Sequence, residues 1–224
     1  MATFKITHTE GVHMIEAQLE NEMIRAESGA LYYTIGPIRI DAPLPGPRGI
    51  LTGMLSGEKF IRPKYTGSGT VFLEPSLGGF HILDVTKGEP WIIAPGGFWA
   101  SEGNVDLSIK REGFWTSYWA GEGLFFFQTE VKGQGKVIIA SPGDVQEVIL
   151  DNGKLVDENK VVLARTAGIS LKIRRPTVRR MHHYWSGEKF ARVYEGTGKL
   201  LLCPVPYWRN RAALDKKNEE QGQA

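Results

Sequence analysis

Apolar and polar residues alternate with a period of two along much of the chain. The alternation is cleanest in Val105-Asp106-Leu107-Ser108-Ile109-Lys110 and Ile169-Ser170-Leu171-Lys172-Ile173-Arg174. That period sends successive side chains to opposite faces, so each stretch predicts a strand with one buried face. The two stretches start 64 residues apart, and Ile38-Arg39-Ile40-Asp41 stands at roughly the corresponding place near the N-terminus. Turn chemistry punctuates the runs at Pro95-Gly96-Gly97, Ser141-Pro142-Gly143-Asp144 and Asp151-Asn152-Gly153. Glycine, proline and asparagine there supply the dihedrals that reversals need.

The strands belong to a longer period. Gly11-Val12-His13, Gly79-Phe80-His81 and Gly143-Asp144-Val145 open similar segments 68 and 64 residues apart. Gly57-Glu58, Gly121-Glu122 and Gly187-Glu188 recur at 64 and 66. Each segment closes on a G-x-G step, Gly67-Ser68-Gly69, Gly133-Gln134-Gly135 and Gly196-Thr197-Gly198, followed by an apolar run. Glycines flanking one residue permit positive φ, so each step predicts a hairpin turn. The expectation is a single all-β domain over residues 1–206, built of three repeats (11–78, 79–142 and 143–206) with about six short strands each. Three such units closing on themselves give a pseudo-threefold arrangement of β-sandwich type, which removes free strand edges. The stretch Asp41 to Gly49, with prolines at 43, 45 and 47, lengthens the first repeat and reads as a loop. Residues 207–224 read as a charged tail with a short helix-compatible stretch around Ala212-Ala213-Leu214.

Composition narrows the function. A net charge of +2 is too small to require nucleic acid or an anionic membrane as a partner, so any electrostatic site is local. One cysteine, Cys203, excludes an internal disulfide framework and favours a reducing compartment; the cytoplasm is the expected location. The N-terminus starts directly with strand-like alternation and lacks the basic and apolar regions of a secretory leader, and no apolar run approaches 18 residues.

The pattern of a G-E-x-apolar strand, a G-x-G-apolar run, a proline/glycine turn and an acid-apolar strand resembles the AIM24 family. It is clearest over Ser56 to Val162, with Gly121-Glu122-Gly123-Leu124-Phe125 and Gly133-Gln134-Gly135-Lys136-Val137 matching best. The resemblance implies an all-β fold related to the shortened double-stranded β-helix of the tryptophan RNA-binding attenuation protein (TRAP-like). Some eukaryotic members are mitochondrial and linked to inner-membrane organisation. The resemblance carries no catalytic residues over, and it leaves the activity of prokaryotic members unassigned.

Few individual residues carry the marks of chemistry. Gly196-Thr197-Gly198-Lys199 looks like the end of a phosphate loop, but Val193 and Leu200 stand where glycine and a hydroxyl residue are needed. Cys203 follows three leucines and precedes Pro204, which fits a buried structural thiol with no activating base indicated. His13 and His81 align in the first two repeats while Val145 takes the third place, and His182 and His183 point to opposite faces of a strand. Neither set makes a metal site. Glu58, Glu122 and Glu188 recur and could form a carboxylate ring, although an acid after a turn glycine commonly binds turn amides.

The charge asymmetry is sharper. Between Asn159 and Gly187 there is no acidic residue, while Lys160, Arg165, Lys172, Arg174, Arg175, Arg179 and Arg180 supply seven cations. Lys172, Arg174, Arg175, Arg179 and Arg180 are the candidate anion-binding residues, for RNA or anionic lipid headgroups. The expectation is a non-enzymatic, self-associating scaffold with no catalytic, metal or cofactor site. The alternative is an RNA- or anionic-lipid-binding module using the basic face of the third repeat.

Overall fold

The computed structural model describes residues 2–42, 62–76, 78–111, 127–174 and 191–205. Among these there are strands and no helix. The first segment holds β1 (Thr3–Thr9), β2 (Val12–Ala26), β3 (Leu31–Ile35), β4 (Ile38–Asp41) and β5 (Lys64–Ser76). The second holds β6 (Phe80–Val85), β7 (Trp91–Ile93), β8 (Phe98–Glu102), β9 (Val105–Arg111), β10 (Phe127–Gly133) and β11 (Gly135–Ala140). The third holds β12 (Gln146–Asp157), β13 (Val162–Thr166), β14 (Ile169–Arg174) and β15 (Ala191–Leu202). The alternating stretches at Ile38, Val105 and Ile169 are strands β4, β9 and β14.

Two antiparallel sheets form. One runs β3-β5-β2-β8-β11-β6, with β1 beside β2 and β4 beside β5; the other runs β12-β15-β13-β7-β10-β9, with β14 beside β15. The second segment is divided between them. Six strands per segment were expected; the described residues carry five, six and four, because β2, β5, β12 and β15 are long and continuous.

Long strands here must change phase. In β2 the buried positions are Ile15, Ala17 and Leu19, then Ile24 and Ala26, so the inward parity flips midway. The flip falls at Asn21, which has φ of 57° and sits where the β2–β5 register slips. Asparagine tolerates this left-handed conformation better than most residues. Asn152 (φ 46°) does the same inside β12, where the β12–β15 register slips. Asp151-Asn152-Gly153 is therefore a bulge within one strand, not the turn between strands that its composition suggested. The Ser68 and Thr197 hydroxyls accept the bulge amides of Asn21 and Asn152, each at 2.9 Å.

The G-x-G steps are not hairpin turns either. Gly67-Ser68-Gly69 lies inside β5 and Gly196-Thr197-Gly198 inside β15, while Gly133 and Gly135 join β10 to β11 across the two sheets. At each step the strand exchanges one neighbour for another: β5 leaves β4 for β3, β15 leaves β14 for β13, and the β10–β11 pair leaves β9 for β8. The turn between those neighbours crosses directly over the glycines. A Cβ on Gly67 would collide with the Pro37 carbonyl, one on Gly133 would lie 2.9 Å from the Asn104 oxygen, and one on Gly196 would strike the Gly168 carbonyl. Glycine is required by close backbone approach.

Each segment thus shows the same bonded plan: a first long path, two short strands, and a last long path that pairs with all three. One backbone bond occurs in all of them: Glu74 N–H to Ala30 O (2.7 Å), Ala140 N–H to Gly97 O (2.8 Å) and Cys203 N–H to Val161 O (2.8 Å). The core follows the sheets. Ile15, Ala17, Leu19, Ile24, Tyr65, Val71 and Leu73 form one cluster. Trp91, Ile93, Phe98, Val131, Val137, Ile139 and Leu201 form a second that draws on both sheets. Ile169, Leu171, Tyr194 and Leu200 form a third. Each such aliphatic side chain contributes about 1.5–3 kcal/mol by leaving water.

Candidate functional site

The basic segment of the third repeat falls only partly within the described residues. Lys172 projects from β14 and is exposed, but its Nζ lies 2.7 Å from Glu195 Oε2, and Lys154 approaches the same carboxylate at 3.9 Å. A glutamate on the neighbouring β15 therefore offsets cations that looked unopposed in the sequence. Arg174 ends β14, and Arg175, Arg179 and Arg180 fall outside the described residues. Arg165 is not on a solvent face at all. It is 2% exposed, and its guanidinium donates to Ile169 O at 2.7 Å and to Gln128 Oε1 at 2.8 Å. Lys160 is exposed, although partial desolvation, opposed by the Asp157 charge, lowers its pKa from the ordinary lysine value.

Other candidates separate similarly. His81 pairs with Ile139, whereas Leu73, which stands at the same distance from its glycine pair as Ile139, pairs with Ile15. His13 is thus two positions out of register with His81, and the two histidines are not equivalent. His13 stacks edge-on against His8 at 4.3 Å, and burial lowers the His81 pKa. Cys203 is a buried free thiol. Glu58, Glu122, Glu188, His182, His183 and residues 43–49 and 207–224 lie outside the described residues. Among the described residues no group of three His, Cys, Asp or Glu could hold a metal ion.

Sequence reading missed two buried carboxylates. Asp157 accepts the amides of Asn159, Val161 and Val162, each at 3.1 Å, and so holds the turn between β12 and β13. Glu102 accepts the Lys136 amide at 2.9 Å, and Thr166 Oγ1 accepts the Lys199 amide at 3.0 Å in the equivalent place. Ile35 occupies that place in the first segment and has no oxygen to offer. Neither acid repeats, so periodicity gave no signal for them.

The feature that stands out is a pair of sheet edges. Where the first and second segments meet, β2 pairs with β8: Ile24 with Glu102, Arg25 with Ser101 and Ala26 with Ala100. Glu27 N–H reaches Trp99 O at 2.8 Å and Gly103 N–H reaches Met23 O at 2.9 Å, closing both ends of the join. Where the second and third segments meet, β7 pairs with β13 in the same register: Trp91 with Thr166, Ile92 with Arg165 and Ile93 with Ala164. The end bonds recur as Ala94 N–H to Leu163 O at 2.8 Å and Ala167 N–H to Pro90 O at 2.9 Å. The corresponding strands of the remaining pair, β12 of the third segment and β3 of the first, stand at the ends of the two sheets and are not bonded to each other.

Burial reports the difference. Ala100, Ser101 and Glu102 on β8 and Ala164, Arg165 and Thr166 on β13 are all buried, whereas on β3 Tyr33 and Ile35 are 41% and 59% exposed. Ile92 on β7 is fully buried, while its counterpart Val156 on β12 is 52% exposed. Tyr32 beside them is also exposed. These are large apolar groups on strands that have one bonded neighbour each among the described residues, β5 for β3 and β15 for β12.

The described residues define an all-β architecture of two antiparallel sheets linked through a divided middle segment, with two apolar edges that no described strand covers. The AIM24 family profile, described as mitochondrial biogenesis AIM24, matches residues 4–205, and the chain belongs to that family. An uncharacterized protein of Streptococcus pyogenes serotype M6 is 24% identical over 211 residues, covering 89% of this chain and 84% of that one. The X-ray crystal structure of protein SPYM3_0169 from Streptococcus pyogenes superposes with a TM-score of 0.73 at 20% identity, covering 97% of this chain and all of that one. Among the described residues no helix is long and apolar enough to cross a membrane.

Proposed function

We propose that this AIM24-family chain is a non-enzymatic, cytoplasmic scaffold that acts by self-association, built from three copies of one TRAP-like unit. The observation that carries the reading is the exposure of Tyr33 and Ile35 on β3, whose counterparts Ala100, Glu102, Ala164 and Thr166 are buried, and of Val156 on β12, whose counterpart Ile92 is buried. The recurrence of the Glu74, Ala140 and Cys203 amide bonds at matched distances from the glycine pairs supports the three-unit description. Uncovered strand edges of this kind are templates for another chain, and persist in soluble proteins chiefly when something covers them.

Sedimentation velocity across micromolar concentrations tests the reading. An assembly larger than one chain is expected, and a monomer at every concentration would contradict it. A second reading, binding of RNA or anionic lipid, rests on the acid-free run from Asn159 to Gly187. Its test is a salt-dependent gel shift and liposome flotation with Arg174, Arg175, Arg179 and Arg180 changed to alanine. Binding by the wild type that the substitutions abolish would favour it; no binding at low salt would remove it.

A further inference from the structure

We propose that the outward edges of β3 and β12 are the two halves of one interface, and that each is filled by the complementary edge of a second copy of this chain, head to tail. The inference deepens the self-association reading and rests on it. Its warrant is that the chain already contains this interface twice, as β2 against β8 and β7 against β13.

The two internal joins fix the register of the third. Counting from the glycine pairs, Leu155, Val156 and Asp157 correspond to Ile24, Arg25 and Ala26 and to Trp91, Ile92 and Ile93. Tyr33, Thr34 and Ile35 correspond to Ala100, Ser101 and Glu102 and to Ala164, Arg165 and Thr166. Even the register slip that β3 makes against β5, between Leu31 and Tyr33, is repeated by β8 against β11 and by β13 against β15. Leu155 therefore faces Ile35, Val156 faces Thr34, and Asp157 faces Tyr33. The end bonds become Glu158 N–H to Tyr32 O and Gly36 N–H to Lys154 O.

Side-chain chemistry distinguishes this join, which among the described residues alone is open within the chain. Each internal join carries an arginine in its central pair. Arg25 Nη1 reaches across to Val105 O at 2.6 Å in the first, and Arg165 Nη1 holds Ile169 O at 2.7 Å in the second. Both bonds anchor the start of the strand that follows the join. The third central pair is Val156 and Thr34, with no guanidinium to make the equivalent bond to Ile38. The β3 sequence Leu31-Tyr32-Tyr33-Thr34-Ile35 also lacks the lysine or proline that commonly protects an edge. A pairing between different patches of identical chains is heterologous, so the assembly closes as a ring or extends as a filament.

Thr34→Cys and Val156→Cys, each made in a Cys203→Ala background so that it holds a single thiol, oxidised separately and mixed, test the register. These residues would form a hydrogen-bonded antiparallel pair with Cα atoms about 5.5 Å apart, inside the range a disulfide spans. Covalent dimers are expected from the mixture alone. Equal dimer from Thr34→Cys by itself, or a bond closing within one monomer of the double variant, would overturn the proposal. A second variant, Val156→Pro, removes an amide that faces the join and not β15, because bonding alternates along the strand. It is expected to keep the wild-type fold and sediment as a monomer. If Val156→Pro folds and still assembles, this interface is wrong while self-association stands; if the wild type is monomeric throughout, both readings fail.

Discussion

Replacing Gly196 with alanine tests whether the G-x-G steps are crossing points under a turn. Gly196 has φ of 140°, a region that L-residues rarely enter, and its new methyl would strike the Gly168 carbonyl and lie 3.3 Å from Ile169 Cα. Both neighbours are backbone, so neither can rotate away. Strain at such a dihedral costs about 1–3 kcal/mol, and forcing packed atoms apart costs a further ~1–3 kcal/mol. The sum of roughly 2–6 kcal/mol corresponds to a drop of about 5–20 °C in Tm for a chain of this size. Gly88 supplies the control: its φ is 89°, but nothing lies within 4 Å of the place a methyl would take, so Gly88→Ala bears the dihedral strain alone, about 1–2 kcal/mol. Urea and thermal unfolding of both variants measure the difference. Equal losses would refute the crossing-point account, since a hairpin turn open to solvent would behave like Gly88.

Three further outcomes are expected. Arg165→Met leaves Gln128 Oε1 and Ile169 O without their buried donor and should cost about 2–4 kcal/mol in urea unfolding; a neutral result would mean the guanidinium is dispensable. Asp157→Asn keeps one acceptor oxygen for three amides and should cost about 1–2 kcal/mol, read from the same titration. Tyr194 is buried, which pushes its pKa up to about 12 against the nearby Arg192 charge that lowers it. The folded state thus favours the neutral phenol, so this stabilisation is whole below pH 10 and is lost as pH rises from 10 towards 12. The urea midpoint of the wild type should fall over that window, and Tyr194→Phe should flatten the fall.

Strand positions were legible because alternation survives wherever one face is buried, as at Val105 and Ile169. What periodicity misread was the glycines. Gly67, Gly133 and Gly196 look like turn residues in one dimension because positive φ and close backbone approach demand the same residue, and only the sheet shows which applies. Asn152 was misread similarly, as a turn instead of a bulge. The basic run misled for a different reason: Arg165 points inward and Lys172 meets Glu195, a residue 23 positions away that no local count includes. The β3 and β12 edges were invisible in sequence because nothing within Leu31–Ile35 says which strands lie beside it. Only comparison with the paired β8 and β13 marks it as uncovered.

The most direct measurement is amide hydrogen exchange at Thr34, Gly36, Val156 and Glu158, compared between dilute and concentrated protein. Exchange that slows at these four positions with concentration, while Ser101 and Arg165 stay protected throughout, is the result expected of a third join made between chains. Fast exchange at all four in a concentrated, assembled sample would contradict it.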